Sequence, residues 1–291
     1  MKKQLVKMTL AAGIAALGSS SYAIDIDAGD YTALPEGTNV GLVYYQHAER
    51  NTLQSNGNQV AGNNGLNSDI AILRLIHFTK IGDYVVDPQV LLPTGRLNAT
   101  GDLSAPLGSA TGTADAIFAA TVWTLNDPVN RRYFGITPFV YAPTGNYDAS
   151  KGAMNLGENR WKYALQTAYI HGLGDKWTLD LAADVTSYGT NDNFQGKSKT
   201  QANTTQLQGF LRYALTPTWD LRAGVSKTHV GSTSLNGVNQ SDSADITKVQ
   251  LGSAMFIDQK TQILATWGQD TKVDNGFKEN ARLNLRLLRV F

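Results

Sequence analysis

Four histidines, His47, His77, His171 and His229, are the side chains on which acid–base or nucleophilic chemistry near neutral pH would have to rest, because the 291 residues contain no cysteine. His229 lies three residues after Ser226, and His77 stands on a segment that begins near Ser68. Residues three apart in an extended strand point to opposite faces, so neither pair brings a nucleophile to its base by local spacing. His47 and His171 fall at the ends of predicted strands, where an imidazole serves as an interfacial polar group. The histidines are too widely spaced for a local metal site, and no glycine-rich phosphate loop occurs, so neither catalytic residues nor a cofactor nor a metal is expected. A formal net charge of +1 gives no reason to expect nucleic acid as a partner.

A second set of charges is more orderly. Lys162, Arg212, Arg222, Arg282 and Arg286, together with Asp180, Asp184 and Asp220, sit on stretches in which polar and apolar residues alternate. In the stretch 177–188, Trp177, Leu179, Leu181, Ala183 and Val185 share one parity, and Thr178, Asp180, Asp184 and Thr186 share the other. A period of two is that of a strand, with one parity for each face. Twelve such stretches recur, at 38–48, 68–79, 84–92, 114–124, 132–142, 160–171, 177–188, 204–215, 219–230, 246–257, 261–271 and 280–291. Most approach the 9 to 11 residues that a tilted strand needs to cross a bilayer.

The connections alternate in length as strictly as the faces alternate in polarity. Residues 80–83, 125–131, 172–176, 216–218 and 258–260 are tight turns, whereas 51–67, 93–113, 143–159, 189–203, 231–245 and 272–279 are long and polar. Short turns on one side and long loops on the other are the pattern of an outer-membrane barrel. The expected fold is therefore all-β, a single antiparallel transmembrane barrel of about twelve strands with both termini periplasmic. Charge facing lipid near the midplane would cost roughly 2–4 kcal/mol per residue, so the eight charges above are expected to face the lumen. There they either fill the barrel as a network of ion pairs or select solutes by rings of charge.

The amino terminus separates from this pattern. Lys2, Lys3 and Lys7 precede an apolar run from Met8 to Leu17, and Ser21 and Ala23 occupy the small positions of a cleavage site, so residues 1–23 are expected to be a removed export signal. Residues 24–37, with Asp25, Asp27, Asp30 and Pro35, are expected to be a periplasmic segment or a plug folded inward, ahead of a barrel at 38–291. The stretches from Ser68 to Leu92 carry Ile70, Ile72, Ile76, Val86 and Val90 on both parities, consistent with a partly apolar lumen or contact with such a plug. Aromatic residues near strand ends, Tyr44, Tyr45, Trp123, Tyr133, Phe134, Tyr169, Trp177, Tyr213 and Trp219, are expected to form interfacial girdles.

Two repeats mark the ends of upward strands. Leu91-Leu92-Pro93-Thr94-Gly95-Arg96-Leu97 and Tyr141-Ala142-Pro143-Thr144-Gly145-Asn146-Tyr147 place Pro93, Gly95, Pro143 and Gly145 where a strand is expected to exit into a loop, since proline ends the ladder and glycine permits a sharp turn. With these turns, the export signal, the hairpin Ile81-Gly82-Asp83-Tyr84, strand openings at Trp177 and Trp219 and the last strand, the chain resembles the outer-membrane family named for the meta-pathway of phenol degradation. The resemblance implies an uptake channel for aromatic or other hydrophobic compounds. It also implies that the final strand, ending on Phe291, is an assembly signal for the barrel-assembly machinery, from which Arg289 departs where an apolar residue is expected.

Twelve strands about 4.8 Å apart and tilted about 40° close at a backbone diameter of roughly 24 Å, which side chains narrow to a conduit for a small molecule. The expected partners are outer-membrane lipid and lipopolysaccharide, the assembly machinery and a small solute. Asp242 and Asp245 either bridge a cation to lipopolysaccharide or are solvated loop carboxylates. The alternatives to a channel are a barrel enzyme acting on lipid and a closed structural barrel whose loops recognise a partner.

Overall fold

Where one parity of a strand is apolar and the other polar, a closed sheet can give the first to hydrocarbon and enclose the second. Each of the twelve predicted stretches becomes a strand of one such sheet in the computed structural model, which describes residues 25–291. The predicted export signal lies outside the described residues. The strands are β1 (Asn39–Glu49), β2 (Asn64–His77), β3 (Tyr84–Gly101), β4 (Ala116–Asp127), β5 (Arg132–Ala142) and β6 (Lys162–Leu173). The second half contributes β7 (Trp177–Tyr188), β8 (Thr204–Thr216), β9 (Trp219–Val230), β10 (Ala244–Phe256), β11 (Thr261–Val273) and β12 (Ala281–Val290).

Each strand pairs antiparallel with its neighbours in sequence, and β1 also pairs with β12 from Val40↔Val290 to Glu49↔Ala281. That last ladder closes the barrel and leaves no main edge, the condition for a sheet to survive in hydrocarbon. Its outer face carries Leu207, Leu211, Leu251, Leu285 and Leu287, all exposed. The inner face of β7 holds Thr178, Asp180, Asp184 and Thr186, all buried. β1 begins and β12 ends at the tight-turn end, where Phe291 N donates to Asn39 O at 2.9 Å. Arg289 turns aside there to an ion pair with Asp258 at 3.1 Å.

Three differences from the sequence reading have physical causes. The long connections are largely folded into ribbons: Thr52–Ser55 joins Asn58–Gln59 and Gly276–Lys278, while Asn191–Phe194, Lys197–Gln201, Thr233–Leu235 and Val238–Asn239 form a second small sheet. Asn56-Gly57, Gln195-Gly196 and Asn236-Gly237 each hold two consecutive positive φ angles, the geometry of a tight hairpin turn. Second, β3 does not stop at Pro93. It runs on to Gly101 against β2, whose Ile72 pairs with Pro93. On its other side β3 changes partner there: pairing with β4 ends at Leu91↔Ile117 and a short strand, Ser109–Thr113, takes over at Thr94↔Thr113. Proline lacks an N–H to donate and sits in the gap between the two ladders. Gly95 is thus not an exit turn but a close approach, since a Cβ there would lie 2.1 Å from Asp69 O. Third, Tyr44, Trp123 and Tyr133 are buried inside the barrel, whereas Trp177 and Trp219 are exposed at the tight-turn end, as a girdle requires.

Candidate functional site: the barrel interior

The interior is organised by the stretch that precedes β1. Gly37 N donates to Phe78 O at 2.8 Å, and from that point residues 25–36 run up inside the barrel through two turns, Asp30 N to Asp27 O and Thr32 N to Gly29 O, both 3.0 Å. Ile26, Ala28 and Tyr31 bury their side chains with Phe78, Trp123 and Phe210. The backbone of this stretch has no sheet partner, and buried N–H and C=O groups need one. Strand side chains supply it. Gln208 Oε1 accepts from Ile26 N (3.1 Å), Asp180 Oδ1 accepts from Gly29 N (2.9 Å), Arg222 Nη1 donates to Ala28 O (2.7 Å) and Trp123 Nε1 donates to Tyr31 O (2.9 Å). The Tyr31 hydroxyl bonds Thr137 Oγ1 at 2.7 Å and donates to Gln166 Oε1 at 3.0 Å.

The same stretch takes up much of the interior charge. Asp27 and Asp30 lie 2.9 and 2.7 Å from Arg286, Asp30 also lies 3.2 Å from Arg74, and Asp25 meets Lys248 at 3.1 Å. Of the eight charged residues singled out from the sequence, Arg212 and Asp180 pair across adjacent strands at 2.7 Å. Arg222 pairs within its own strand to Asp220. Asp184 accepts from Gln166 Nε2 at 3.4 Å. Lys162 is paired at 2.5 Å with Glu158 and lies 4.4 Å over the Tyr141 ring, while Arg282 reaches Glu279 at 2.5 Å.

Glu279 is a hub that spacing did not reveal. It also meets Arg50 at 2.6 Å and Lys248 at 3.1 Å. In the sequence it closes a polar connection and reads as a solvated loop acid; only the inward parity of Lys248 and Arg282 points to a buried counter-charge. Glu158 plays a similar part in the connection before β6. Burial pushes its carboxyl up, but Lys162 and Arg160 outweigh that and hold it at about 2.

Above the inserted stretch the barrel holds a partly open cavity of about 280 Å³. On one side Ile70, Ile72, Leu91, Ile117 and Phe139 from β2 to β5 form an apolar stretch, bordered by Ser68, Arg74, Gln89, Thr121 and Thr137 of the same strands. The other is polar, with Gln206, Lys248, Gln250, Asp270 and Asn284 from β8 to β12. Of the apolar residues noted on β2 and β3, Ile70 and Ile72 line this cavity and Ile72 and Ile76 join the cluster around Tyr31, whereas Val86 and Val90 belong to neither. Pro93 lines the cavity from within its strand. Pro143 and Gly145 do follow the end of β5, and Gly145 N donates to Asp115 Oδ1 at 3.0 Å.

The remaining chemical candidates do not converge. Ser226 is buried, whereas His229 is largely exposed and bonds Asp245 at 2.8 Å. Asp242 accepts from Thr233 N at 2.7 Å and from Thr233 Oγ1 at 2.6 Å, apart from that pair.

A closed antiparallel barrel with an apolar outer band, a charged interior and an interior cavity defines an outer-membrane β-barrel of the channel class. Residues 50–287 match the family described as "Putative MetA-pathway of phenol degradation", and the chain belongs to it. An outer membrane channel of Pseudomonas putida F1 is 40% identical, with a TM-score of 0.87 over 92% of this chain and 100% of that one. The beta domain of the Bordetella autotransporter BrkA (10% identity, TM-score 0.52, 88% of this chain and 100% of that one) shares the fold alone. So does the transport unit of the Escherichia coli autotransporter AIDA-I (8% identity, TM-score 0.50, 96% of both chains). No curated protein matches the sequence. The protein is thus located in the outer membrane of a Gram-negative bacterium.

Proposed function

We propose that the protein passes small hydrophobic or aromatic compounds across the outer membrane by passive diffusion, without catalysis, and that residues 25–37 close the lumen between passages. The observation that carries this is the cavity: about 280 Å³ is room for one small molecule, and Ile70, Ile72, Leu91, Ile117 and Phe139 give it an apolar stretch in an otherwise charged lumen. A general pore for ions or sugars gains nothing from setting Ile70, Leu91, Ile117 and Phe139 around its path. Family membership and the likeness to an outer membrane channel support the same reading. The tight-turn end faces the periplasm in this proposal, and lipopolysaccharide surrounds the long-loop end.

The test is initial uptake by whole cells with and without the protein, comparing toluene, benzoate and glucose. Faster entry of at least one aromatic solute, with glucose unaffected, is expected. Equal rates for all three solutes in the two strains would exclude the proposal, and fatty-acid release from phospholipid by the purified protein would favour a lipid-cleaving enzyme instead.

A further inference from the structure

The connection between β5 and β6 closes on itself. A Cβ on Gly145 would lie 2.7 Å from Gly157 Cα, and one on Gly157 would lie 2.7 Å from Gly145 C, so the two glycines cross in direct backbone contact. Asp115 clasps both sides of this neck, Oδ1 accepting from Gly145 N and Oδ2 from Glu158 N, each at 3.0 Å. Asn146 N donates to Thr113 O at 2.9 Å and ties the neck to the strand Ser109–Thr113. A compact loop whose ends touch in this way is an Ω-loop. Its head holds itself together: Asn155 Oδ1 accepts from Asp148 N at 2.7 Å, and Asn155 Nδ2 donates to Asp148 O and to Gly152 O, both at 2.9 Å. Residues 146–156 are therefore a small rigid body on a fixed neck.

This body touches both the cavity and an apolar cluster beside it. Asn155 and Leu156 line the cavity, as does Glu158 just past the neck. Met154, only 1% exposed, is buried with Leu53 and Phe277 from the ribbons, Leu66 from β2, Leu97 from β3 and Leu103 just beyond it. Leu97 and Leu156 belong to the cavity lining and pack in this cluster as well, so apolar side chains run without a break from the seat of Met154 into the cavity.

The loop is held down by contacts of two kinds. Toward the ribbon Asn191–Phe194 it is tied by hydrogen bonds, Tyr147 OH donating to Asn193 O at 2.9 Å and Gln195 N donating to Ala149 O at 3.0 Å, which water replaces when the loop lifts. Toward the cluster it is tied by Met154 alone among its long apolar side chains that are fully buried. A methionine side chain is flexible and carries no strong donor or acceptor, so its withdrawal strands no polar group. A small apolar molecule that takes its place restores the burial it gives up.

We propose that residues 145–157 are a lid on the cavity, latched by Met154, and that a small apolar solute opens it by taking the seat of Met154 among Leu53, Leu97, Leu103 and Phe277. The seat is then the first binding site on the solute's way in, and the cavity is the second. A sugar or an ion does not open the lid, because it would have to shed its water to enter an apolar seat. The cavity is partly open without the lid, which therefore governs entry of apolar solutes and not access of water and ions. The lid rests on the channel reading above and deepens it, since it names where the solute first binds.

The protein has no cysteine, so one introduced thiol reports the latch without background. Met154→Cys, in the full mature chain in lipid nanodiscs and checked for folding by heat-modifiable electrophoretic mobility, is treated with a trimethylammonium-ethyl methanethiosulfonate, a reagent too polar to take the seat itself. The modified fraction is followed by mass over time. Lys151→Cys on the exposed side of the loop and Ala244→Cys in the separate buried cluster with Val230, Ile246 and Val273 are the references. Without solute Met154→Cys should react about tenfold or more slower than Lys151→Cys, since a buried group reacts only through opening. Toluene should speed Met154→Cys several-fold and saturably while both references stay unchanged, and glucose should have no effect. A thiol at 154 that reacts as fast as Lys151→Cys without solute, whose rate toluene leaves unchanged, or whose rate rises only together with that of Ala244→Cys overturns the lid. Whole-cell uptake separates that failure from failure of the channel: if the protein still speeds toluene entry, solute passes a fixed loop, and if it does not, the channel reading falls as well.

Discussion

Tyr31 shows how much of the inserted stretch's anchoring rests on single side chains. Its ring is buried and its hydroxyl makes two hydrogen bonds to strand residues on adjacent inner positions, Thr137 and Gln166. Gly135 makes room for it, since a Cβ there would lie 2.8 Å from Tyr31 Cδ1. Tyr31→Phe keeps the packing and removes both bonds, at about 1 kcal/mol each. If the inserted stretch closes the lumen, the open state should then gain roughly tenfold or more in population, read as more frequent conductance steps in planar bilayers; an unchanged record would show that Tyr31 does not hold the closed state. Glu158 gives a second prediction with a sign. Its folded value of about 2 lies below the ordinary 4.5, so its tether to Lys162 and Arg160 is at full strength above pH 4.5 and is lost as pH falls through about 2. Protease attack on residues 143–161 should therefore be the same at pH 7 and pH 5 and rise steeply below pH 4. Glu158→Gln should raise it already at pH 7, and a variant as resistant as the parent would place the anchoring elsewhere.

At the scale of elements, the alternation of polarity was enough to place all twelve strands, because a strand between lipid and an enclosed interior cannot slip by one residue without moving charges such as Asp180 and Arg286 into hydrocarbon. The end of β3 was not legible. Pro93 is a terminator in most sheets, and only the change of neighbour from β4 to Ser109–Thr113 explains why the strand passes through it. Gly95 then matters for strand spacing. Gly95→Val would drive a side chain into the Asp69 carbonyl, 2.1 Å from the nearest possible Cβ, so β2 and β3 must separate. The folded fraction, measured by the heat-modifiable gel shift, should fall several-fold. Gly82→Ala, at a turn glycine whose added Cβ would meet nothing within 4 Å, should cost far less, about 1 kcal/mol from its positive φ alone. Equal losses would mean that the close approach at Gly95 is not limiting. The polar partners of the cavity were half legible. The inward parity of Arg282 and Arg286 was plain from the alternation, but Glu279 and Asp25 lie outside the strands, where no period constrains the direction of a side chain.

The whole molecule separates two jobs that soluble domains combine. Its stability comes from a ring of backbone ladders that is complete without the inserted stretch, since β1 pairs with both β2 and β12 over its whole length. In the proposed function closure falls to residues 25–37, whose contacts to the wall are side-chain bonds, one apolar cluster and the backbone bond from Gly37 N to Phe78 O. Removing 25–34 should accordingly leave the barrel folded, even though it strands Arg286, Arg74 and Arg222 without their partners on the inserted stretch, because an emptied lumen gives those guanidinium groups water in exchange. The truncated protein should then conduct through an opening set by the barrel wall, several-fold above the parent, and should favour anions, since it loses Asp25, Asp27 and Asp30 and frees cations. Reversal potentials in a salt gradient read that preference directly. A truncated barrel that folds, conducts no better than the parent and keeps the parent's ion preference would mean that the constriction lies among the ribbons at the long-loop end, and that the stretch before β1 serves to neutralise the wall and not to close it.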